Sequence, residues 1–179
     1  MSTSRATSLP SRESPPPANR PISATDSAGM AAALEQARRG HALGEVPVGA
    51  VLMRGDELLV ARHNETVRRH DPLAHAELLV LQQAWSDNMG RLADATLYIT
   101  LEPCAQCAGA IVLARVGRVV FGAWDDKAGM AGSIHDLLRH PRLNHHAEVI
   151  GGVAEAECGE LLRDFFRARR AAMLEAPDA

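Results

Sequence analysis

Three residues with metal-binding side chains begin two predicted helices, and this pattern constrains the fold more than any other feature. Cys104 and Cys107 stand three residues apart at the start of a predicted helix over residues 104–116, so both sulfurs lie on one helical face. His75 lies near the start of another predicted helix, over residues 74–85. For the three side chains to share one ion, the two helix N-termini must meet at one edge of a sheet.

This set of ligands is typical of catalytic zinc. Two thiolates and one imidazole favour Zn²⁺, and a helix N-terminus lowers the pKa of nearby thiols. Three protein ligands leave the fourth tetrahedral position for water, whose pKa the metal lowers to about 7. Glu77 lies about 200° round the helix from His75, too far to be a ligand from the same face. We therefore predict that Glu77 transfers protons between water and substrate.

Each part of the pattern also has a simpler interpretation. A single C-x-x-C can be a redox pair or half of a structural Cys₄ site, but the second half is missing. Cys158, the only other cysteine, has no close partner in the sequence and is predicted to be a buried helix residue. His75 alone can cap its helix, and Glu77 alone can complement the helix dipole. The combination of these residues favours the catalytic site.

The remaining segments predict one α/β domain. A first helix runs from Met30 and ends at Gly44, Gly117 caps the helix that begins at the cysteines, and a last helix covers residues 156–174. This order of elements predicts helices packed on a mixed sheet. The predicted strands cover residues 46–53, 57–64, 95–102, 117–124 and 147–153.

The composition sets limits on the ends of the chain and on its partners. Residues 1–28 are rich in Ser, Pro, Ala and Thr and are predicted to be a disordered extension, which leaves a domain over 29–175 and a tail over 176–179. The net charge of −3 means that any nucleic acid must meet a local basic patch. No apolar run approaches the roughly 18 residues of a membrane span. The absence of a secretory signal and the three cysteines predict a reducing, cytoplasmic location.

Longer strings around these residues carry a resemblance. HAE at 75–77 with PCAQC at 103–107 matches the signature of the zinc nucleobase deaminases. From about Met30 to Met173 the chain resembles, more narrowly, the bacterial tRNA-specific adenosine deaminases. The supporting strings are EVPVGAV (45–51), HDPLAHAE (70–77), ATLYITLEPCAQCAGAI (95–111), GRVVFGA (117–123) and ECGELLRDFFRARR (157–170).

The resemblance implies a fold and a reaction. The fold is a three-layer α/β/α arrangement like that of cytidine deaminase, with a five-stranded mixed sheet. The reaction converts adenosine to inosine at the wobble position of a tRNA anticodon stem-loop, in a homodimer with one Zn²⁺ per subunit. Hydrolysis takes place at C6 of a flipped-out adenine, and Glu77 carries the proton of water to N1 and later to the leaving ammonia.

The resemblance also implies residues that bind the substrate. Asn64 matches a base-binding asparagine whose amide can bond a purine edge. Val48 and the backbone at Ala76 match positions that line the base pocket, and Asp125 matches a residue that contacts the nucleic-acid backbone. The end of the last helix resembles a phosphate-binding and stacking surface, although a solvated charged face with a core aromatic pair gives the same pattern. Its residues are Phe165, Phe166, Arg167, Arg169 and Arg170.

Two positions depart from the resemblance, and two rival functions remain. Glu65 and Trp124 stand where Arg is expected, which lowers the positive charge near the substrate groove, and Trp124 is a hypothetical stacking residue. A sister zinc deaminase acting on guanine, cytosine or a free nucleoside does not need the Arg- and Phe-rich helix. A noncatalytic, zinc-stabilised RNA-binding module does not need Glu77.

Overall fold

The computed structural model describes residues 22–175, and every predicted helix and strand is present there. None of the helices in this range is long and apolar enough to cross a bilayer. The elements are α1 (Ala24–Ala42), β1 (Gly49–Arg54), β2 (Glu57–His63), α2 (Ala76–Ser86), β3 (Thr96–Leu101), α3 (Ala105–Ala114), β4 (Arg118–Ala123), β5 (Glu148–Ile150) and α4 (Glu155–Glu175).

The five strands form one mixed sheet in the order β2-β1-β3-β4-β5. The hairpin strand β1 pairs antiparallel with both β2 and β3. β3, β4 and β5 run parallel to one another. The carboxyl end of β3 therefore leads directly into α3, and the two antiparallel strands place the segment before α2 beside it.

Alternate residues of the central strands face two separate cores, one on each side of the sheet. Leu97 and Ile99 of β3 pack with Val80 of α2 and Ile111 of α3. Tyr98 of β3 points to the other side, where the buried partners come from α1 and α4. The predicted three-layer α/β/α arrangement is confirmed. The second core includes Met30, Leu34, Val120 and Cys158.

Helix α1 begins earlier than predicted. Ser23 caps its N-terminus and forms a capping box with Asp26, so residues 24–28 are helical and the prediction of disorder is wrong for them. The amino-acid composition did not reveal where the helix begins, because the cap depends on two residues within a Ser- and Ala-rich segment. The rest of the predicted extension and residues 176–179 lie outside the described residues. Gly44 follows the helix with a φ of +80°, as its predicted stop requires.

The end of α3 also differs from the prediction. Arg115, not Gly117, caps the helix in the left-handed region, with φ 56° and ψ 44°. Gly117 is required for another reason, because a Cβ there would lie 2.0 Å from the carbonyl oxygen of Ala93. This close approach of two backbone segments admits only glycine.

Candidate active site

The three candidate metal ligands converge at the N-termini of α2 and α3. His75 and Cys104 are the N-cap residues of these two helices, and both have extended backbone angles. Cys107 is buried in the first turn of α3. The Nδ1 atom of His75 lies 3.6 Å from Sγ of Cys104 and 3.4 Å from Sγ of Cys107.

These distances match the geometry of tetrahedral zinc. Bond lengths of about 2.3 Å to sulfur and 2.0–2.1 Å to nitrogen give N···S edges of about 3.6 Å in a regular tetrahedron. The three ligand atoms all lie within 4.8 Å of one another. His75, Cys104 and Cys107 could therefore hold one ion together.

The electrostatics of the cluster favour a thiolate. The hydrogen bond from the Cys107 thiol lowers the pKa of Cys104 to about 4, and His75 contributes to the shift against the opposing effect of burial. The same hydrogen bond and burial raise the pKa of Cys107. The hydrogen-bonded pair of thiols therefore holds its one negative charge on Cys104.

Glu77 lies beside this cluster and is almost completely buried. Burial raises the pKa of its carboxyl above the usual value, against the opposing charge of His75. A carboxyl group with a raised pKa can both accept and donate a proton closer to neutral pH. Glu77 lies at the wall of a cavity, and its raised pKa suits it to general acid–base catalysis.

This cavity has a volume of about 210 Å³ and brings together most of the residues predicted to bind substrate. Ala76 is buried between His75 and Glu77 but its side chain does not line the cavity. The predicted residues that line it are Val48, Asn64, His75, Glu77, Cys104 and Asp125.

Asn64 stands at the end of β2, where its side-chain amide has two protein partners. Its Nδ2 donates to Oε2 of Glu45 at 3.3 Å and to Oγ1 of Thr66 at 2.9 Å. Its backbone N–H donates to the carbonyl oxygen of Val48 at 2.9 Å, which joins two of the predicted pocket residues. The sequence analysis did not identify Glu45.

On the opposite rim of the cavity, Glu102 is another buried carboxylate that accepts several hydrogen bonds. The sequence analysis did not identify it either. Its carboxylate accepts hydrogen bonds from the backbone N–H groups of Asp125 at 3.0 Å, Ala131 at 2.8 Å and Ser133 at 3.0 Å. Both glutamates are fully buried at the ends of apolar runs, where an ionisable residue needs hydrogen-bond partners. That position was the available signal for Glu45 and Glu102.

Asp125 belongs to the loop that Glu102 holds. Its Oδ1 accepts hydrogen bonds from the backbone N–H groups of Lys127 at 2.9 Å and Ala128 at 3.2 Å. Ala128 lines the catalytic cavity, whereas Lys127 lines a neighbouring groove. The charge of Asp125 is therefore used to shape the turn that connects the two.

The residues of α4 predicted to contact RNA lie outside the catalytic cavity, in two grooves. Phe166 is exposed and lines one groove together with Lys127 and Arg163. Phe165 is buried, packs edge-on against His41 and borders a second groove. Phe166, and not Phe165, therefore presents an exposed ring. Of the predicted arginines, the first groove contains Arg167 and Arg170, and the second contains Arg169.

The two departures from the resemblance have local partners. Glu65 forms ion pairs with Arg68, at 2.9 Å, and with Arg69. Burial opposes the shift, but the hydrogen bonds from these arginines lower the pKa of Glu65. Trp124 packs edge-on against Phe121 with ring centroids 4.7 Å apart. Glu65 is therefore paired with two neighbouring arginines, and Trp124 is partly a core residue.

Known proteins resemble this chain in sequence and in fold. Residues 24–170 match the family model of the MafB19-like deaminases. A tRNA-specific adenosine deaminase of Bacillus subtilis (strain 168) is 48% identical over 142 residues, which are 79% of this chain and 88% of the relative. The chain belongs to the tRNA-specific adenosine deaminase family. The narrower family resemblance inferred from the longer strings, such as EVPVGAV and HDPLAHAE, is thereby confirmed.

Solved structures agree with membership of the tRNA-specific adenosine deaminase family. One, from a study of A-to-I editing by tRNA:A34 deaminases at the wobble position of transfer RNA, has a TM-score of 0.71 and 38% identity. The match covers 76% of this chain and 99% of that chain. A guanine deaminase from Nitrosomonas europaea has a TM-score of 0.69 at 24% identity, covering 82% of this chain and 88% of that one. At that identity the second match shows the fold alone.

Proposed function

We propose that the protein catalyses the zinc-dependent hydrolytic deamination of adenosine to inosine at the wobble position of a tRNA anticodon. The observation that carries the proposal is a buried carboxyl group, Glu77, next to a His/Cys/Cys cluster in a cavity of about 210 Å³. A cavity of this size suits one base turned out of the RNA. The relatives named for this activity extend over most of the chain.

His75, Cys104 and Cys107 would hold one Zn²⁺ per subunit. The donor set and the 3.4–3.6 Å spacing of the ligand atoms support zinc over metals that prefer oxygen. When bound, zinc supplies Lewis acidity and a hydroxide nucleophile at neutral pH. Burial of Cys107 and Glu77 keeps bulk water away from this side of the base.

The protein side chains then orient the base and move the protons. Glu77 takes one proton of water and delivers it to N1 of the adenine as the oxygen bonds to C6. It then passes the remaining hydroxyl proton to the exocyclic nitrogen, so that the C6–N6 bond breaks, ammonia leaves and inosine remains. The amide of Asn64 binds the base edge, and Val48 and the backbone at Ala76 enclose the ring. Asp125 shapes the loop beside the ribose-phosphate backbone through its bonds to the N–H groups of residues 127 and 128.

The grooves beside α4 supply contacts for the anticodon stem-loop. Arg167 and Arg170 border the same groove as Lys127 and the exposed ring of Phe166, so phosphate and base contacts are adjacent. Arg169 and Phe165 border the second groove. This local positive surface supports binding of a polyanion by a protein whose net charge is −3.

We propose that the enzyme is a cytoplasmic homodimer. Trp85 of α2 and Leu113 of α3 are 78% and 85% exposed, on the helical layer that contains the metal ligands. Large apolar side chains on adjacent helices support contact with a second copy of the chain. Light scattering should give twice the monomer mass, and a monomeric mass would contradict the proposal.

Deamination of a synthetic anticodon stem-loop with a wobble adenosine, beside free adenosine, cytidine and guanine, tests the function. Inosine should form in the stem-loop alone. Turnover of a free base or nucleoside instead would assign the chain to a sister activity on the same fold. Failure to deaminate any of these substrates while the stem-loop is still bound would favour a noncatalytic module.

Replacement of the proposed proton carrier gives the matched control. Glu77→Gln should lower the rate by about 10²–10⁴-fold because general acid–base catalysis is lost. Its zinc content, measured by atomic absorption, should remain one per chain, whereas His75→Ala should lose zinc. Activity retained by Glu77→Gln would show that another group carries the proton.

A further inference from the structure

A second buried glutamate, Glu45, lies behind the base pocket and not in its wall. It stands between α1 and β1, and its side chain is completely buried. None of the ion pairs formed within residues 22–175 involves Glu45. Its partners are instead backbone N–H groups, those of Arg68 at 2.7 Å and Val67 at 3.0 Å. Glu45 therefore ties the segment after β2 to the start of β1.

The same carboxylate determines how the Asn64 amide is turned. Nδ2 of Asn64 donates to Oε2 of Glu45 and to Oγ1 of Thr66, and these two acceptors engage both of its hydrogens. A turn of the amide by 180° would place its carbonyl oxygen against the carboxylate oxygen, where neither atom is a donor. The Thr66 hydroxyl, 3.5 Å from Oε2 of Glu45, closes this network.

Only the outer members of this network reach the cavity. Asn64 and Thr66 line the catalytic cavity, and Val67 borders the groove beside Phe165. Glu45 does not line the catalytic cavity, so it can act on a base only through the segment that it holds.

We propose that Glu45 is a positioning residue that sets the orientation of the Asn64 amide and thereby the alignment of the base for deamination. The inference rests on the proposed function and on the base-binding role of Asn64. A misplacement of about 1 Å in an active site can lower a rate by about 100-fold. Loss of this carboxylate should therefore affect catalysis well beyond its effect on folding.

A double-mutant cycle between Glu45 and Asn64 tests the proposal on the zinc-loaded enzyme. Glu45→Gln keeps the size of the side chain but turns a donor toward the donors of Asn64 or of the loop. We expect kcat/KM for the stem-loop to fall by about 10–100-fold in the wild-type background. In an Asn64→Ala background the same change should lower kcat/KM by less than about threefold, because the target of Glu45 is already gone.

Glu102→Gln is the matched control. It also removes a fully buried carboxylate that accepts backbone hydrogen bonds, but on the opposite rim and without contact to Asn64. The fold-decreases in kcat/KM caused by Glu102→Gln and by Asn64→Ala should multiply in the double mutant. If Glu45→Gln does not fold, Glu45→Asp keeps the charge and withdraws it by one C–C bond, about 1.5 Å. It should give the same non-additivity.

The outcomes separate this inference from the proposed function. A wild-type enzyme that leaves stem-loop adenosine unchanged would refute the function. A wild-type enzyme that deaminates it, with Glu45 and Asn64 effects that multiply, would overturn the positioning role alone. Equal coupling of Asn64 to Glu45 and to Glu102 would also overturn it, because the coupling would then reflect general loss of structure.

Discussion

The buried ion pair between Asp26 and Arg118 offers a test of how α1 is held to the sheet. Asp26 receives hydrogen bonds from Nη1 of Arg118 at 2.5 Å, from Nη2 at 3.1 Å and from the Tyr98 hydroxyl at 3.3 Å. It also accepts the backbone N–H of Ser23 at 3.0 Å within the capping box. The perturbation is Asp26→Asn, which removes the charge and keeps the shape.

The expected loss of stability follows from what the substitution leaves behind. The Arg118 side chain is 19% exposed, and its other acidic neighbour, Glu148, lies 3.4 Å away. Breaking a buried pair by neutralising one partner costs about 3–5 kcal/mol. The Asn side chain can still accept the capping hydrogen bond, so the cap adds little to the loss of stability. For a domain of this size, a loss of 1 kcal/mol in the free energy of unfolding lowers Tm by about 2–4 °C, so Tm should fall by about 6–20 °C.

Scanning calorimetry measures this shift, with the exposed pair Arg54–Asp94 as the control. That pair is 2.8 Å apart, with side chains 38% and 63% exposed, so Asp94→Asn should cost less than about 1 kcal/mol. Equal shifts for Asp26→Asn and Asp94→Asn would refute the argument that burial makes the first pair important.

The pH dependence gives an independent check. Hydrogen bonds from Arg118 hold the pKa of Asp26 well below its usual range, against the opposing effect of burial. A carboxyl group whose pKa is lowered by folding stabilises the fold fully above its unfolded pKa of about 3.9 and loses that contribution as the pH falls. The difference in stability between the wild type and Asp26→Asn should therefore be constant near neutral pH and shrink below about pH 4.

Three other changes have expected outcomes. Gly122→Ala should cost about 1–3 kcal/mol in urea unfolding, because a Cβ would lie 2.4 Å from Sγ of Cys158; an unchanged midpoint would contradict the packing. Arg115→Gly should raise the stability by about 0.5–1 kcal/mol by relieving the left-handed cap, and a lower Tm would contradict this. Chelation should abolish deamination and lower Tm, both restored by added zinc, since a ligand bound only by the folded state stabilises it.

The metal cluster could be predicted because each of its residues is recognisable from a short stretch of sequence. Each ligand lies at or near the start of a helix, so helix prediction and the C-x-x-C spacing placed the sulfurs on one face. The sharing of one ion by all three ligands then implied that the two helix ends meet. The strands were predicted within three residues of their ends because apolar runs bounded by turn residues mark them well. The start of α1 was missed because Ser23 and Asp26 act through a cap and a distant arginine, which periodicity does not record.

The hydrogen-bond partners of Glu45 and Glu102 could not be predicted for a related reason. Glu45 binds N–H groups 22 and 23 residues away, and Glu102 binds N–H groups up to 31 residues away. Backbone N–H groups carry no sequence signal, so their acceptors are visible only in three dimensions. The two grooves beside α4 escaped prediction likewise, since Phe165 and Phe166 pack edge-on against each other yet border different grooves.

The arrangement separates the proposed tasks of the enzyme among different elements. The proposed chemistry depends on two helix N-termini that pack on the sheet, and the two rims of the cavity include segments hydrogen-bonded to the buried carboxylates of Glu45 and Glu102. RNA contacts are assigned to α4, whose arginines are exposed and are not part of these networks. Because neither Glu45 nor Glu102 forms its hydrogen bonds with α4, we expect substitutions of the exposed α4 arginines to change RNA binding more than the chemical step. The reverse does not hold, since a loosened rim would misplace the base however tightly the RNA is held.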